Sequence, residues 1–152
     1  MIDQDFYWAN VKKILDRVRS LDAFLWMDME GSRFTDRILD VYRRALAQYD
    51  DVGVAVQTNL RRTEKDVESL LEVGGIVRLC KGAYREVPPV GVRDRREVDA
   101  NFRRVRELLF ERGDRFAVAT HDGAMIERTL ELVRAAPQRF EFQMLLGVLE
   151  PT

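Results

Sequence analysis

Apolar residues follow two alternating patterns along the chain. Five segments carry them at the three- and four-residue spacing of amphipathic helices, and five short apolar runs are typical of buried strands. The helical patterns cover about 8–20, 38–49, 63–71, 98–109 and 126–133, and the predicted strands are 23–29, 52–57, 77–81, 115–120 and 139–143. Strict alternation predicts a parallel α/β sheet with right-handed crossovers. No linker interrupts it, so we expect one domain over residues 1–152.

Turn and cap signals separate these elements. Thr35 or Ser32 can cap the second helix, and Thr63 followed by Asp66 resembles a capping box for the third. Residues 85–94 contain two consecutive prolines and a glycine, and we predict that they form a loop.

The third predicted strand is unusual because it carries charges in an apolar run. Arg78 and Lys81 lie three residues apart, and Gly82 closes the run. Burying an unpaired ion is costly, so a buried strand would need a partner or an anion there. The alternative is an edge strand whose alternate residues face water. Cys80, between the two charges, is expected to pack as a small hydrophobe.

Each predicted strand carries polar side chains at or near its carboxyl end. They are Asp28, Gln57, Arg78 with Lys81, Thr120 with His121, and Gln143. Parallel α/β architectures, whether barrels or open sheets, bind ligands at that edge, so the pattern predicts a ligand site. Taken singly, His121 could be a hydrogen-bonded structural group and Asp28 a turn former.

Composition narrows the classes of ligand. Lysine and arginine number 25 against 26 aspartates and glutamates, a net charge of -1 that does not indicate a nucleic-acid surface. One histidine and one cysteine are too few for a structural zinc site, so no metal is expected. No phosphate-binding glycine loop or nucleophile elbow is present. Donors without a metal or nucleophile suit a polar heterocyclic cofactor that supplies the chemistry itself.

Cysteine content and hydropathy bear on the compartment. The single cysteine excludes an intrachain disulfide, and no apolar run approaches the ~18 residues of a membrane span. The N-terminus lacks a signal-peptide pattern. We therefore expect a cytoplasmic protein in a reducing compartment.

Five motifs resemble a known family in their order and spacing. They are Trp26-Met27-Asp28-Met29-Glu30, Val54-Ala55-Val56-Gln57 with Leu60-Arg61-Arg62-Thr63, Val77 to Tyr84, Ala119-Thr120-His121-Asp122, and Phe140-Glu141-Phe142-Gln143-Met144-Leu145. Over about residues 5–150 the chain resembles proline dehydrogenase. The resemblance implies a partial (β/α)8 TIM barrel, about strands 3 to 7 with their intervening helices, that holds FAD at the carboxyl ends of its strands.

The resemblance also implies an activity and roles for single residues. The reaction is oxidation of L-proline to 1-pyrroline-5-carboxylate by hydride transfer to FAD. Asp28 and Arg78 match the catalytic pair, with Arg78 near flavin N5 and Asp28 orienting it. Cofactor contacts are implied for Met29, Gln57, Lys81, Gly82, Ala83, Thr120 and His121. Leu79, Tyr84 and Leu145 would line the proline pocket. The electron acceptor would be a quinone or another oxidant, and a quinone would bring the protein to a membrane surface.

The chain also departs from the family. Asn59 and Leu146 stand where the family usually has an aromatic residue. A complete barrel of this type takes ~250 residues and eight strands. Neither the double-arginine helix motif nor the lysine-bearing strand that binds the proline carboxylate is found in the sequence. We therefore expect a fragment that binds FAD weakly and turns proline over poorly or not at all.

Two other functions fit the same residues. Lys81 at a strand end could be the Schiff-base nucleophile of an unrelated barrel lyase. The chain could also be a non-catalytic, flavin-binding remnant. Borohydride trapping with a carbonyl substrate would favour Lys81 chemistry, whereas flavin absorbance would not.

Overall fold

Five parallel strands and five α-helices alternate along the chain in the computed structural model, which describes residues 3–135 and 139–148. The helices are α1 (Gln4–Ser20), α2 (Thr35–Leu46), α3 (Thr63–Leu71), α4 (Arg95–Arg112) and α5 (Gly123–Ala135). The strands are β1 (Leu25–Met27), β2 (Val52–Gln57), β3 (Val77–Cys80), β4 (Arg115–Ala119) and β5 (Arg139–Gln143). A short 3-10 helix, Ser32–Phe34, precedes α2.

The strands lie side by side in chain order, and each neighbouring pair is parallel. The predicted alternation is therefore confirmed, and the arrangement is that of an arc from a (β/α)8 barrel. Register places Arg78 of β3 between Ala55 of β2 and Ala117 of β4. Since paired residues of parallel strands point to the same side, these three share one face of the sheet.

The opposite face packs against the helices and holds the hydrophobic core. Fully buried residues there include Val54, Val77, Leu79, Phe116 and Val118 from the strands, with Leu39, Tyr42, Phe102, Val105 and Leu109 from the helices. Burying each such aliphatic or aromatic side chain contributes roughly 1.5–3 kcal/mol. This layer of side chains is what holds the sheet in place.

Tyr42 connects the helix layer to the sheet through hydrogen bonds as well as packing. Its hydroxyl accepts a hydrogen bond from the Ile76 amide at 2.7 Å and donates one to the Ile76 carbonyl at 3.2 Å. Burial raises the pKa of the Tyr42 phenol to about 12. The start of β3 is therefore anchored to α2.

The face that carries Arg78 is built from small residues in its central strands. Gly53, Ala55, Cys80, Ala117 and Ala119 occupy successive positions there. A Cβ at Gly53 would overlap the ring of Trp26, which therefore lies across β2 at this point. Small side chains leave this face shallow, and we call it the inner face because it corresponds to the inside of the barrel arc.

Two predicted helix caps are wrong. Thr63 does not form a capping box, since its hydroxyl donates to the carbonyl of Gln57, and Asp66 instead pairs with Arg62 at 2.7 Å. Helix α2 has Phe34 at its cap position with no side-chain hydrogen bond. Thr35 already lies inside α2, with its hydroxyl buried and unpaired.

The bounds of two other elements differ from the predicted bounds by a few residues. Helix α1 begins at Gln4, earlier than the predicted residue 8, because Asp3 caps it by accepting from the Asp5 amide at 2.8 Å. Strand β1 is shorter than the predicted 23–29. The loop predicted at 85–94 is confirmed, and Asp94 caps α4 by accepting from the Arg96 amide.

Across the part of the chain that the structure describes, no helix is both long enough and apolar enough to cross a membrane.

Candidate functional site

Arg78 lies at the centre of the polar groups on the inner face. One terminal nitrogen of its guanidinium forms an ion pair with Asp28, which follows β1. The other terminal nitrogen donates to the amide oxygen of Gln143, at the end of β5, at 3.1 Å. The guanidinium carbon lies 5.5 Å from the centre of the Trp26 ring, within reach of a cation–π interaction. Arg78 therefore links the two outer strands of the sheet across its middle.

The two partners of the Arg78–Asp28 pair differ in exposure. The Arg78 side chain is 17% exposed, whereas that of Asp28 is 77% exposed. The Nε atom of Arg78 is buried and has no hydrogen-bond partner. The cation is thus fixed inside the arc while the carboxylate stays open to solvent or to a ligand. Arg78 is tolerated inside the strand because Asp28 pairs with its charge. The alternative prediction, an edge strand, is wrong, because β3 is the central strand of the sheet.

Gln143 is itself held by a neighbour on the same strand. Its amide nitrogen donates to the carboxylate of Glu141 at 2.6 Å. Sequence reasoning noted Gln143 as a polar strand end but gave it no role, and Glu141 was missed. The two-residue spacing on a strand, which puts both on one face, is the signal that could have linked them.

Lys81 lies one residue beyond β3 and is bound by two carboxylates. Its ammonium contacts Asp99 of α4 at 2.6 Å and Asp122, just before α5, at 2.7 Å. We call these three residues the lysine clamp. All three side chains are largely buried, at 24%, 20% and 22% exposed. The clamp joins the carboxyl end of β3 to the first turns of two helices.

The charges of the lysine clamp reinforce one another. Burial alone would lower the pKa of Lys81, but the hydrogen bonds with Asp122 and Asp99 outweigh it and raise the pKa above its usual value. The hydrogen bond from Lys81 holds the pKa of Asp122 below its usual range, against a smaller effect of burial. Asp122 also accepts from the Ala124 amide at 3.1 Å, which caps α5. Lys81 is therefore a fixed cation, not a free amine nucleophile.

The backbone and side chains after β1 and β2 form a second group of contacts. Met29 and Gln57 are buried, and the amide nitrogen of Gln57 donates to the carbonyl of Glu30 at 3.0 Å. The Tyr84 hydroxyl donates to the Glu30 carboxylate. That hydrogen bond raises the pKa of Tyr84. Tyr84 is thus linked to the segment that follows β1, which also carries Asp28.

Asn59, one of the two residues that depart from the resemblance, binds the segment that follows β3. Its amide donates to the Tyr84 carbonyl at 2.9 Å, and its backbone amide donates to the Lys81 carbonyl at 2.9 Å. Gly82 has a φ of 106° and passes so close to Asn59 that a Cβ there would overlap it. Only glycine combines that backbone conformation with that approach. Gly82 and Ala83 are exposed at the rim, between the Lys81 and Tyr84 carbonyls that Asn59 binds.

The remaining predicted residues lie around β4, β5 and the core. Thr120 is buried and its hydroxyl accepts from the Asp122 amide at 3.1 Å. His121 accepts a hydrogen bond from the Leu145 amide at 3.0 Å through Nε2, while the Leu145 side chain is 71% exposed. Leu79 has no exposed surface and lies on the helix-facing side of β3, opposite Arg78. The structure therefore does not bring Leu79 to the face that carries Arg78.

The donor set and the shape of the inner face fit a flat, polar-edged ring system. Cys80 and Ala119 are small and half-buried, and they form a floor beside Arg78 and Gln143 at the carboxyl ends of the strands. Arg78 offers a cationic edge, and the rim at Gly82 offers backbone without side chains. Over residues 3–135 and 139–148, no three histidine, cysteine, aspartate or glutamate side chains form a group suited to a metal ion.

Comparison with known proteins gives one consistent family. A family model described as proline dehydrogenase matches residues 3–152. Proline dehydrogenase 2 of Bacillus subtilis (strain 168) is 34% identical over 154 residues, which cover 99% of this chain and 51% of that protein. Proline dehydrogenase of Deinococcus radiodurans is 31% identical over 150 residues, which cover 95% and 48%. The chain spans about half the length of the curated relatives it matches.

Solved structures with a similar fold are proline utilization A (PutA) proteins. The structure from Bdellovibrio bacteriovorus inactivated by N-propargylglycine has a TM-score of 0.73 at 28% identity, covering 92% of this chain and 18% of that chain. A mutant of the protein from Bradyrhizobium japonicum has a TM-score of 0.84 at 22% identity, covering 95% and 17%. The second likeness supports the barrel-arc fold alone.

Proposed function

The chain belongs to the proline dehydrogenase family, and from that premise we propose that it forms the flavin-facing part of an enzyme that oxidises L-proline to 1-pyrroline-5-carboxylate. The observation that carries the proposal is the Arg78–Asp28 pair at the carboxyl edge of the sheet, beside a floor of small side chains. A fixed cation with an accessible carboxylate suits a site where a cofactor gains negative charge during the reaction.

The proposed chemistry divides between the cofactor and the chain. FAD, when bound, supplies the hydride acceptor. Proline loses a hydride from the ring carbon that adjoins its nitrogen and does not bear the carboxylate, and the resulting iminium loses a proton to give the neutral imine. Arg78 would hold the flavin at its electron-accepting edge and supply a positive charge there, because its guanidinium is fixed and mostly shielded from water. Asp28 orients Arg78 through the ion pair.

The other predicted contacts are assigned by position. We propose that the backbone of Met29 and the side chain of Gln57 bind the flavin at the β1–β2 side, and that Thr120 and His121 bind it at the β4 side. Gly82 and Ala83 would border it at the rim, where both are exposed. Lys81 contributes by holding the end of β3, since two carboxylates already occupy its ammonium. We propose that Tyr84 and Leu145 line the proline pocket. Leu79 lies on the helix-facing side of the sheet and would support that pocket without lining it.

Titration with FAD tests the proposal directly. The purified chain should quench flavin fluorescence and induce visible circular dichroism in the bound cofactor. Arg78→Met removes a charge-assisted donor, so FAD affinity should fall on the order of tenfold or more. Arg128→Met is a matched control on the outer helix layer, where Arg128 forms an exposed pair with Glu131, and it should leave affinity unchanged.

A proline:dye assay separates the catalytic proposal from a non-catalytic remnant. Dye reduction that requires both proline and FAD, and that Arg78→Met abolishes, supports proline oxidation. Flavin binding without any proline-dependent reduction would instead support the remnant. Failure of the chain to bind FAD at all would refute the proposal for this polypeptide.

The electron acceptor is part of the proposal. A quinone is the acceptor that the family resemblance implies, and contact with a membrane surface would accompany it. Comparing a short-chain quinone with the dye, with and without lipid vesicles, tests both points. A rate that vesicles do not change would argue against membrane contact.

A further inference from the structure

The orientation of Arg78 depends on very few contacts. Its guanidinium carries five N–H donors. One terminal nitrogen is taken by Asp28 and the other by Gln143, while Nε is buried without a partner. Besides the Trp26 ring, which lies 5.5 Å from the guanidinium carbon, the polar contacts that orient the guanidinium plane are those to Asp28 and Gln143, one at each terminal nitrogen.

These two contacts differ in rigidity. Asp28 follows the three-residue strand β1, and its side chain is 77% exposed. Gln143 is the last residue of the five-residue strand β5 and is half-buried. A half-buried side chain on a paired strand has fewer alternative rotamers than an exposed one after a short strand. The side chain of Gln143 is therefore held more rigidly than that of Asp28.

The side-chain amide of Gln143 can turn either its oxygen or its NH2 group toward Arg78. If the NH2 group of Gln143 faced Arg78, two donors would meet and the contact would be lost. Glu141 lies two residues earlier on the same face and accepts from that NH2 group at 2.6 Å. A carboxylate accepts hydrogen bonds and, when ionised, donates none. Glu141 therefore turns the oxygen of Gln143 toward Arg78.

We propose that Gln143, oriented by Glu141, is a positioning residue that fixes the guanidinium plane of Arg78, and we call Glu141–Gln143–Arg78 the relay. The geometric part stands on the apo chain alone, whereas its consequence for flavin chemistry rests on the proposed function of Arg78. Through the relay, β5 acts on the reacting edge of the site without contacting substrate.

The geometric part is tested without cofactor. In guanidinium-selective 15N NMR, an arginine whose two terminal nitrogens are both hydrogen-bonded rotates slowly about Nε–Cζ and gives separate terminal signals. Arg78→Lys identifies the signals of Arg78 by their loss. Gln143→Leu should merge them, because one terminal nitrogen loses its acceptor. Gln48→Leu, an exposed glutamine beyond α2, is the matched control and should leave them separate.

A reciprocal exchange distinguishes the relay from a general structural role. In the double variant Glu141→Gln/Gln143→Glu, the carboxylate at position 143 accepts from Arg78 and the new amide at position 141 donates to that carboxylate. Separate Arg78 signals should therefore return. Glu141→Leu alone should broaden them, since the amide of Gln143 is then free to turn. Signals that stay separate in Gln143→Leu, or that fail to return in the exchange, would overturn the relay.

The functional part is read from the bound flavin. With FAD present, Gln143→Leu should lower the midpoint potential of the flavin, because a mobile Arg78 stabilises the reduced anion less well, and the exchange should restore it. An unchanged potential in Gln143→Leu would overturn the functional part while the NMR result stands. Failure of the parent chain to bind FAD would count against the proposed function, and the NMR arm would still decide the geometry.

Discussion

Replacing Lys81 by methionine should reverse the way the stability of this protein responds to acid. Methionine keeps much of the aliphatic volume of lysine but removes the ammonium that Asp99 and Asp122 share. Both carboxylates contact that single nitrogen, so they lie at most about 5 Å apart, and two unit charges at that distance repel by roughly 3 kcal/mol at an effective dielectric of about 20. The parent contains the same repulsion but outweighs it with two ion pairs, and removing one partner of a buried ion pair costs roughly 3–5 kcal/mol. At pH 7 we therefore expect the variant to lose about 3 kcal/mol of its free energy of unfolding.

The sign of the pH dependence follows from the pKa shifts. In the parent chain the pKa of Asp122 is held below its unfolded value, so this carboxylate stabilises the fold above that value and the contribution is lost as pH falls below about 4. The raised pKa of Lys81 makes its contribution constant until strongly alkaline pH. In Lys81→Met the two facing carboxylates repel, so the pKa of one rises above its unfolded value. Stability should then increase as pH falls from about 6 toward 4.

Urea denaturation at several values between pH 4 and pH 8, followed by far-UV circular dichroism, measures both effects. Lys12→Met is the matched control, because Lys12 pairs with Asp16 on the exposed surface of α1 and should contribute little. If Lys81→Met were as stable as the parent at pH 7, or lost stability on acidification as the parent does, the lysine clamp would not be a coupled charge cluster and the reasoning would fail.

Two further predictions concern tyrosines. Tyr42→Phe removes both hydrogen bonds to Ile76, and it leaves the Ile76 amide without its acceptor, whereas the Ile76 carbonyl keeps its hydrogen bond from the Val54 amide. We therefore expect a loss of about 1–3 kcal/mol in urea denaturation, and a loss well below about 1 kcal/mol would contradict the anchoring role. Tyr84 should ionise at higher pH than a free tyrosine in an ultraviolet titration, and its transition is identified because it disappears in Tyr84→Phe. Glu30→Gln should move the transition to lower pH, and an unchanged transition would mean that the contact with Glu30 is not maintained in solution.

Sequence patterns predicted the elements well because the helix-facing side of the sheet is continuous and apolar. Val54, Val77 and Phe116 lie in short apolar runs, and those runs predicted the strands. The partners of polar side chains were harder to predict. Thr63 and Asp66 have the spacing of a capping box, yet each found a closer partner in the folded chain. Local spacing cannot report such competition, because the winning acceptor or donor is placed by the fold.

In the candidate site, too, the partners of polar side chains could be predicted only in part. Asp28 was predicted as the partner of Arg78, and the structure pairs them. Asp99 was not predicted as a partner of Lys81, because it lies in the first turns of a charge-rich helix where most carboxylates face water. Glu141 was missed for a similar reason, since a single charge near a strand end is usually solvated.

Arg78 and Lys81 differ in how far neighbouring carboxylates neutralise their charge, and this difference determines which of them is available to a ligand. Lys81 contacts two largely buried carboxylates, so the lysine clamp has a net charge of -1 and presents no free cation. Arg78 has one carboxylate partner that is mostly exposed and one neutral amide partner, so its charge is only partly balanced and is fixed at the inner face. If a ligand gains negative charge at this edge, we expect Arg78 rather than Lys81 to stabilise that charge. Lys81 instead ties the carboxyl end of β3 to Asp99 of α4 and to Asp122, just before α5.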